Sequence, residues 1–312
     1  MPNLVLTTAC RNACPFCFAR NAGNPEYMDF DFVRSRMAWA VRSGMRRIHL
    51  VGGEPAMHPR FTDIVDLLIH SGIEVTIFTD GALPDETVRY LQNLPDASLL
   101  FSVNRSVIPL SDRIIRFYQS LGYRVKLNVT LYRPDQDIRY LFDEITTYRL
   151  IPEYRLSLAM PVHPDFSNAY LLPEMYTRTA EALFPAIQEG AGRGIRPTFD
   201  CGFPLCFFSD TQRRWLEEHD IVFQSLCGVV PDLMPDGRAL HCFPLSHISR
   251  PVDRYPDLSG LKEVLKEDLN RLRERTLFAH CRTCDYFECN VCSGGCAAFR
   301  IPKDHPQPKR RT

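Results

Sequence analysis

The chain has 312 residues, with 37 Lys and Arg against 37 Asp and Glu, so its formal net charge is zero. That balance excludes bulk electrostatic attachment to nucleic acid or an anionic membrane, and no run reaches the roughly 18 apolar residues of a membrane span. Twelve cysteines, in a chain that does not open with a basic region and a long apolar core, point to the cytoplasm. There they indicate metal ligation rather than disulfides, because the cytosol is reducing.

Strand and helix patterns then alternate. "LVLT" (4–7) reads as a first strand, followed by "TTACRNACPFCFAR" (7–20) and an amphipathic segment at 30–43. Further strands are expected at 47–51, 74–79, 98–103, 125–131 and 154–160. Between and after them come amphipathic segments at 60–71, 84–94, 110–121, 136–148 and 173–191. Strands alternating with helices imply parallel βαβ units, here an α/β fold with a partial (β/α)6 TIM-type barrel over residues 1–195. Residues 196–312 form a small cysteine-rich C-terminal domain. It includes a helix at 209–220 capped by Ser209 or Asp210 and a hairpin turning at Asp236-Gly237. The basic tail "PKRRT" (308–312) reads as a soluble terminus.

Active sites of such barrels lie at the C-terminal ends of the strands. Cys10, Cys14 and Cys17 fall immediately after the first strand and are one short of the four thiolates that zinc and cubane centres usually take. A zinc site would need a fourth protein ligand, with His49 and His58 as the histidines nearest in sequence. After the second strand comes "VGGEPAMHP" (51–59). Gly52 and Gly53 allow a close backbone approach, Glu54 adds a carboxylate, and Pro55 stiffens the turn.

Cys10-x3-Cys14-x2-Cys17, with Phe16 before the third cysteine, resembles the signature of radical S-adenosylmethionine (radical SAM) enzymes. "GGEP" at 52–55 is similar to that family's second motif, and the resemblance covers residues 4 to about 195. It implies that the three thiolates hold three irons of a [4Fe–4S] cluster and that SAM chelates the fourth. It also implies that the 52–55 turn holds the methionine amino group, with Ser102 and Asn128 as candidates for the ribose and carboxylate. The cluster then splits SAM into a 5′-deoxyadenosyl radical, which removes hydrogen from an unactivated carbon. "TDG" at 79–81 stands where many relatives read Thr-Asn-Gly.

Nine cysteines follow residue 200. Cys227-x9-Gly237-x4-Cys242, then Cys281-x2-Cys284-x4-Cys289-x2-Cys292-x3-Cys296, resemble the SPASM extension, which carries two auxiliary [4Fe–4S] clusters. The usual second segment is Cys-x2-Cys-x5-Cys-x3-Cys followed by a distant cysteine. Here seven residues separate Cys284 from Cys292, and no cysteine follows Cys296. The expected repair places Cys281, Cys284, Cys289 and Cys292 in the outer cluster. Cys227, Cys242 and Cys296 go to the inner one with Cys206 or Cys201, leaving one spare thiol. Read alone, the paired Cys-x2-Cys units would suit zinc.

The SPASM resemblance implies a maturase that crosslinks, oxidises or epimerises a precursor peptide. The alternatives are a dehydrogenase acting on a sugar or antibiotic precursor and, more remotely, a non-catalytic electron-transfer scaffold. An external electron donor such as flavodoxin or ferredoxin is implied. Because the barrel starts near residue 4, any peptide-recognition domain is expected to be a separate protein or absent. Formylglycine-forming relatives place an Asp after the second hairpin cysteine; Phe243 stands there instead. His241, Asp200 and Asp285–Tyr286 remain as proton-acceptor candidates.

Overall fold

The computed structural model describes residues 1–18, 25–163, 166–222, 225–276 and 278–301; the 308–312 tail lies outside them. In chain order the elements are β1 (Asn3–Thr7), α1 (Phe30–Arg42), β2 (Arg47–Gly52), α2 (Phe61–His70), β3 (Glu74–Thr79), α3 (Asp85–Gln92), β4 (Leu99–Asn104), α4 (Asp112–Leu121), β5 (Val125–Leu131), α5 (Tyr140–Tyr148), β6 (Glu153–Leu158), α6 (Tyr176–Gly192) and β7 (Arg196–Phe199). Then come α7 (Asp210–Glu218), β8 (Asp232–Leu233), β9 (Arg238–Leu240), β10 (Ser249–Pro251), α8 (Leu258–Thr276) and α9 (Asp285–Glu288).

The strands form one ten-stranded sheet in the order β10-β9-β8-β1-β2-β3-β4-β5-β6-β7. From β1 to β7 every pairing is parallel, and β8 adds to β1 in parallel before the chain reverses into β9 and β10. This is the expected α/β partial barrel, with its cysteine-rich segment following. The sheet also runs through the boundary expected at 195: β7 extends it beyond six strands, and the β8–β9 hairpin extends it on the other side.

Strand periodicity separates two faces. Leu4, Ile48, Leu50, Val75, Ile77, Phe101, Val103, Leu127, Val129, Tyr154 and Leu156 are all at most 1% exposed and face the helices. Ile114, Phe117 and Leu121 of α4 show how that layer closes. They recur at helical spacing, are fully buried, and each contributes about 1.5–3 kcal/mol. Ser111 caps this helix by accepting from the Ile114 N–H.

The other face is polar. Across β2 to β7 the register aligns His49 with Thr76, Phe78 with Ser102, Asn104 with Asn128, Asn128 with Arg155, Thr130 with Ser157, and Arg155 with Thr198. These side chains line the inside of the open barrel.

β7 carried no clear strand pattern because Pro197 interrupts it. As the last strand it tolerates the proline. The Arg196 and Asp200 N–H groups donate to Pro152 and Leu156 of the β6 side, so the Pro197 nitrogen faces the unpaired edge. Helix α8, absent from the expected elements, buries Leu258, Leu261, Leu265 and Leu269 along one stripe.

Candidate active site and cysteine clusters

Cys10, Cys14 and Cys17 occupy the loop leaving β1. Its base is tied by Thr7 Oγ1 donating to the Glu26 carbonyl at 2.7 Å and by Ala9 N–H donating to Thr7 Oγ1 at 3.0 Å. The three thiols are neighbours. Burial first, then Cys17 and Cys10, push the Cys14 thiol up to about 11. Burial is also the main cause for the raised Cys10 thiol, with Glu54, Cys17 and Asp80 adding to it. Crowded thiols of this kind become thiolates when a cationic centre binds them, which is the donor chemistry of an iron–sulfur cluster.

The 52–55 turn packs directly beneath this loop. Gly53 N–H donates to Thr7 O and Glu54 N–H to Ala9 O, both at 2.8 Å. Cβ atoms on Gly52 and Gly53 would meet the Thr7 and Ala9 carbonyl oxygens at 2.2 Å. The glycines therefore serve first to bring two pieces of the chain's own backbone together. Pro55 opens a short 3-10 turn that Glu54 caps by accepting from Ala56 N–H.

The Glu54 carboxylate is 1% exposed and also accepts from Thr79 Oγ1 at 2.9 Å and Asp80 N–H at 2.8 Å. Burial and the nearby Asp80 charge hold it above the usual carboxylate range. Its side chain is thus committed internally, and the turn presents backbone to any ligand. Asp80 accepts from Arg11 Nε at 2.8 Å, Arg11 Nη2 at 2.6 Å and Asn12 Nδ2 at 2.7 Å, clamping the cysteine loop to the end of β3. Burial alone would raise Asp80, but the Arg11 guanidinium and the other donors outweigh it and hold the carboxyl low.

Sequence reasoning missed Arg11, Asn12 and Thr79 as parts of this assembly. Arg11 and Asn12 stand inside the cysteine motif, but their partner is 69 and 68 positions away, and only the sheet order joins them.

Phe16 is buried, with its ring centroid 5.2 Å from that of Tyr132 just after β5. Ser102 lies on the polar face, and its buried Oγ has no hydrogen-bond partner among the described residues. Asn128 Oδ1 and Asp200 Oδ2 both lie 3.1 Å from Ser157 Oγ, whose single proton can serve one at a time. An orphaned hydroxyl and a shared proton on one polar wall are donors and acceptors left available for a polar ligand.

His58 uses both ring nitrogens internally, against Met28 O and the Arg60 N–H, so neither is free for a metal. His49 Nδ1 lies 3.0 Å from Asn3 Oδ1 on the inner face. Among the described residues no three His, Cys, Asp or Glu side chains converge on a single-ion site.

The nine later cysteines gather differently from the expected grouping. Cys206, Cys281, Cys284 and Cys292 line one cavity of about 280 Å³. Burial raises the Cys281 thiol to about 11, with Cys206, Cys292 and Cys284 adding to it. Cys201, Cys227, Cys242 and Cys296 form the other group. Burial holds Cys242 well above its ordinary value, and Cys296, Cys227 and Cys201 contribute.

Cys206, one of the two expected alternatives beside Cys227, lines the cavity with Cys292 and Cys284. It sits in the 3-10 turn Leu205–Phe207, which follows β7. Cys289, expected among Cys281, Cys284 and Cys292, ends helix α9 as an exposed residue and does not line the cavity. Of the proton-acceptor candidates, His241 is buried with neither ring nitrogen partnered among the described residues, and burial first, then Arg273 and His247, lowers it to about 4. Asp285 opens α9, and Tyr286 is 45% exposed.

Residues 4–106 match the sequence profile of the Radical SAM superfamily. The match spans both the cysteine loop and the 52–55 turn. The chain thus carries a radical SAM profile over about a third of its length. It is 28% identical over 55% of its length to the tungsten-containing aldehyde ferredoxin oxidoreductase cofactor-modifying protein of Pyrococcus furiosus, spanning 46% of that relative. It is 25% identical over 93% of its length to the PqqA peptide cyclase of Ruegeria pomeroyi, spanning 80% of it. Streptococcus suis SuiB bound to S-adenosylmethionine shares the fold, with a TM-score of 0.67 at 16% identity over 95% of this chain and 72% of SuiB. No helix among the described residues is long and apolar enough to cross a membrane.

Proposed function

We propose that the protein is a peptide-modifying radical SAM maturase, with Cys10, Cys14 and Cys17 holding the SAM-binding cluster. The observation that carries the first part is the assembly of the cysteine loop, the Gly52-Gly53 turn and the orphaned Ser102 hydroxyl on one rim of the barrel. Support for a peptide substrate comes from relatives that align along nearly the whole chain. One is named a peptide cyclase, and SuiB has been crystallised with its precursor peptide SuiA.

When bound, the cluster and SAM supply a 5′-deoxyadenosyl radical able to abstract hydrogen from an unactivated carbon. The chain's own residues position that chemistry. The backbone of Gly52 to Pro55 receives the methionine amino group. Ser102 and Asn128 offer hydrogen bonds to the ribose and carboxylate, and Phe16 packs alongside. Arg11 and Asp80 hold the cysteine loop over the turn. The polar inner face, from His49 through Arg155 to Asp200, orients the substrate. A one-electron donor of the flavodoxin or ferredoxin class supplies reducing equivalents, and a separate recognition protein is a further candidate partner.

The test is to incubate the reduced, cluster-loaded protein with SAM and a precursor peptide encoded beside its gene. A peptide lighter by about two hydrogens, matched by 5′-deoxyadenosine, is the expected result for crosslinking or oxidation. Unchanged mass with solvent deuterium uptake identifies epimerisation. SAM cleavage stimulated only by a sugar or other small metabolite overturns the peptide reading.

A further inference from the structure

The extra cysteine of the C-terminal segment and its missing distal one pose a single problem of ligand supply, and the fold answers it. Cys206, Cys281, Cys284 and Cys292 surround one cavity whose remaining wall includes Tyr176 and Phe278. Cys281 and Cys292 are buried, Cys284 is half-buried and Cys206 is exposed. Four thiols around a partly aromatic hollow are the donor set of a cubane.

Cys206 reaches the hollow because α7 holds its turn in place. Ser209 caps α7 with a reciprocal box to Gln212. Arg213 of the same helix donates to Leu205 O at 2.9 Å and Phe208 O at 2.8 Å, gripping the turn that carries Cys206. The same guanidinium stacks over the Tyr286 ring at 5.3 Å and donates to its hydroxyl at 3.2 Å. One side chain thereby fastens the Cys206 turn to the segment carrying Cys284 and Cys292.

The two residues by which the Cys284–Cys292 interval exceeds the usual spacing are absorbed by α9. Cys289 N–H donates to Asp285 O at 2.8 Å, and Cys292 N–H returns to Tyr286 O at 3.0 Å, so the chain coils once and brings Cys292 back to the hollow. Cys289 lies on the exposed side of that coil.

Cys227 and Cys242 bracket the β8–β9 hairpin, Cys227 N–H donates to Ser293 Oγ at 2.9 Å, and Cys296 follows three residues later. Cys201 enters directly from the end of β7, where its N–H donates to Asp200 Oδ1 at 2.9 Å.

Resting on the reading that this segment carries two auxiliary clusters, we propose that Cys206 completes the outer cluster with Cys281, Cys284 and Cys292. Cys201 completes the inner cluster with Cys227, Cys242 and Cys296, and Cys289 is the thiol left over. An upstream cysteine on the turn before α7 thus takes the place of the missing distal ligand.

The full chain, loaded and kept anaerobic, is treated with iodoacetamide, then unfolded and mapped by mass spectrometry beside its iron count. The expected outcome is about twelve irons, four per cubane, with Cys289 alkylated and both Cys201 and Cys206 protected. Protection of Cys289 with alkylation of Cys206 or Cys201 at the same iron count overturns the assignment alone. About four irons with all nine later cysteines alkylated removes the two-cluster reading, and the assignment falls with it. As a second measurement, Cys206→Ser should lose about four irons while Cys289→Ser loses none, the cluster at Cys10–Cys17 keeping its spectrum in both. Equal iron loss from the two variants also overturns the assignment.

Discussion

Gly53 has no space for a side chain, since an added Cβ would lie 2.2 Å from the Ala9 carbonyl oxygen. Gly53→Ala must therefore displace the cysteine loop and is expected to cost at least the roughly 1–3 kcal/mol of overpacking. It should also lower SAM affinity. Gly192, at the end of α6, has nothing within 4 Å of where a methyl group would sit; Gly192→Ala is expected to be neutral or stabilising by up to ~1 kcal/mol. Equal unfolding midpoints for the two variants would contradict this. His49 gives a pH test. Burial first, then Arg155, lowers its imidazole from 6.5 to about 4. The unfolded chain thus takes up the proton first as pH falls, so stability is full above about 6.5 and declines toward pH 4. The loss is at most on the order of 3 kcal/mol. Unfolding titrations of wild type and His49→Gln should differ in slope across that window, and parallel curves would refute the role of His49.

Helix α7 links chain geometry to cluster retention through Ser209 and Arg213. Ser209→Ala removes the cap and should cost about 0.5–2 kcal/mol. Arg213→Ala frees the Cys206 turn from Tyr286 and should speed iron release from the outer cluster to a chelator, leaving the cluster at Cys10–Cys17 unaffected. Matching release rates in Arg213→Ala and wild type would show that the clamp is unnecessary. The strands and helices of the barrel were legible because period-two and helical apolar patterns recur cleanly from Leu4 to Gly192. β7 was hidden by Pro197, whose edge position no local pattern reveals. The leucine stripe of α8 was present in the sequence and went unread beside the cysteine motifs. The SAM-side motif was legible because its three cysteines share one short loop. The sorting proposed for Cys201, Cys206 and Cys289 was not, because it depends on where β7 ends and how α7 packs.

At the scale of the molecule, one parallel sheet carries an apolar outer face and a polar inner face, and the loops at its rim gather the cysteines. The seven strands from β1 to β7 carry the first cysteine loop and the polar face, while the hairpin β8–β9 attaches the later cysteines to the same sheet. If Cys227 and Cys242 hold the proposed inner cluster, that attachment ties iron loading to solubility. β8 covers the flank of β1 through Asn3 and Asp232, whose side chains bond at 2.7 Å. The hairpin that carries β8 is held between Cys227 and Cys242. Without metal, those thiols lose the centre that would staple the hairpin, and β1 is left as an open edge ready to pair with another chain. Cells starved of iron should accordingly accumulate the protein in the insoluble fraction, and Cys227→Ala should do so even when iron is plentiful. Full solubility of that variant would disprove the link. Insolubility in both cases would make the hairpin an assembly checkpoint, admitting to the soluble pool only chains that have acquired their metal.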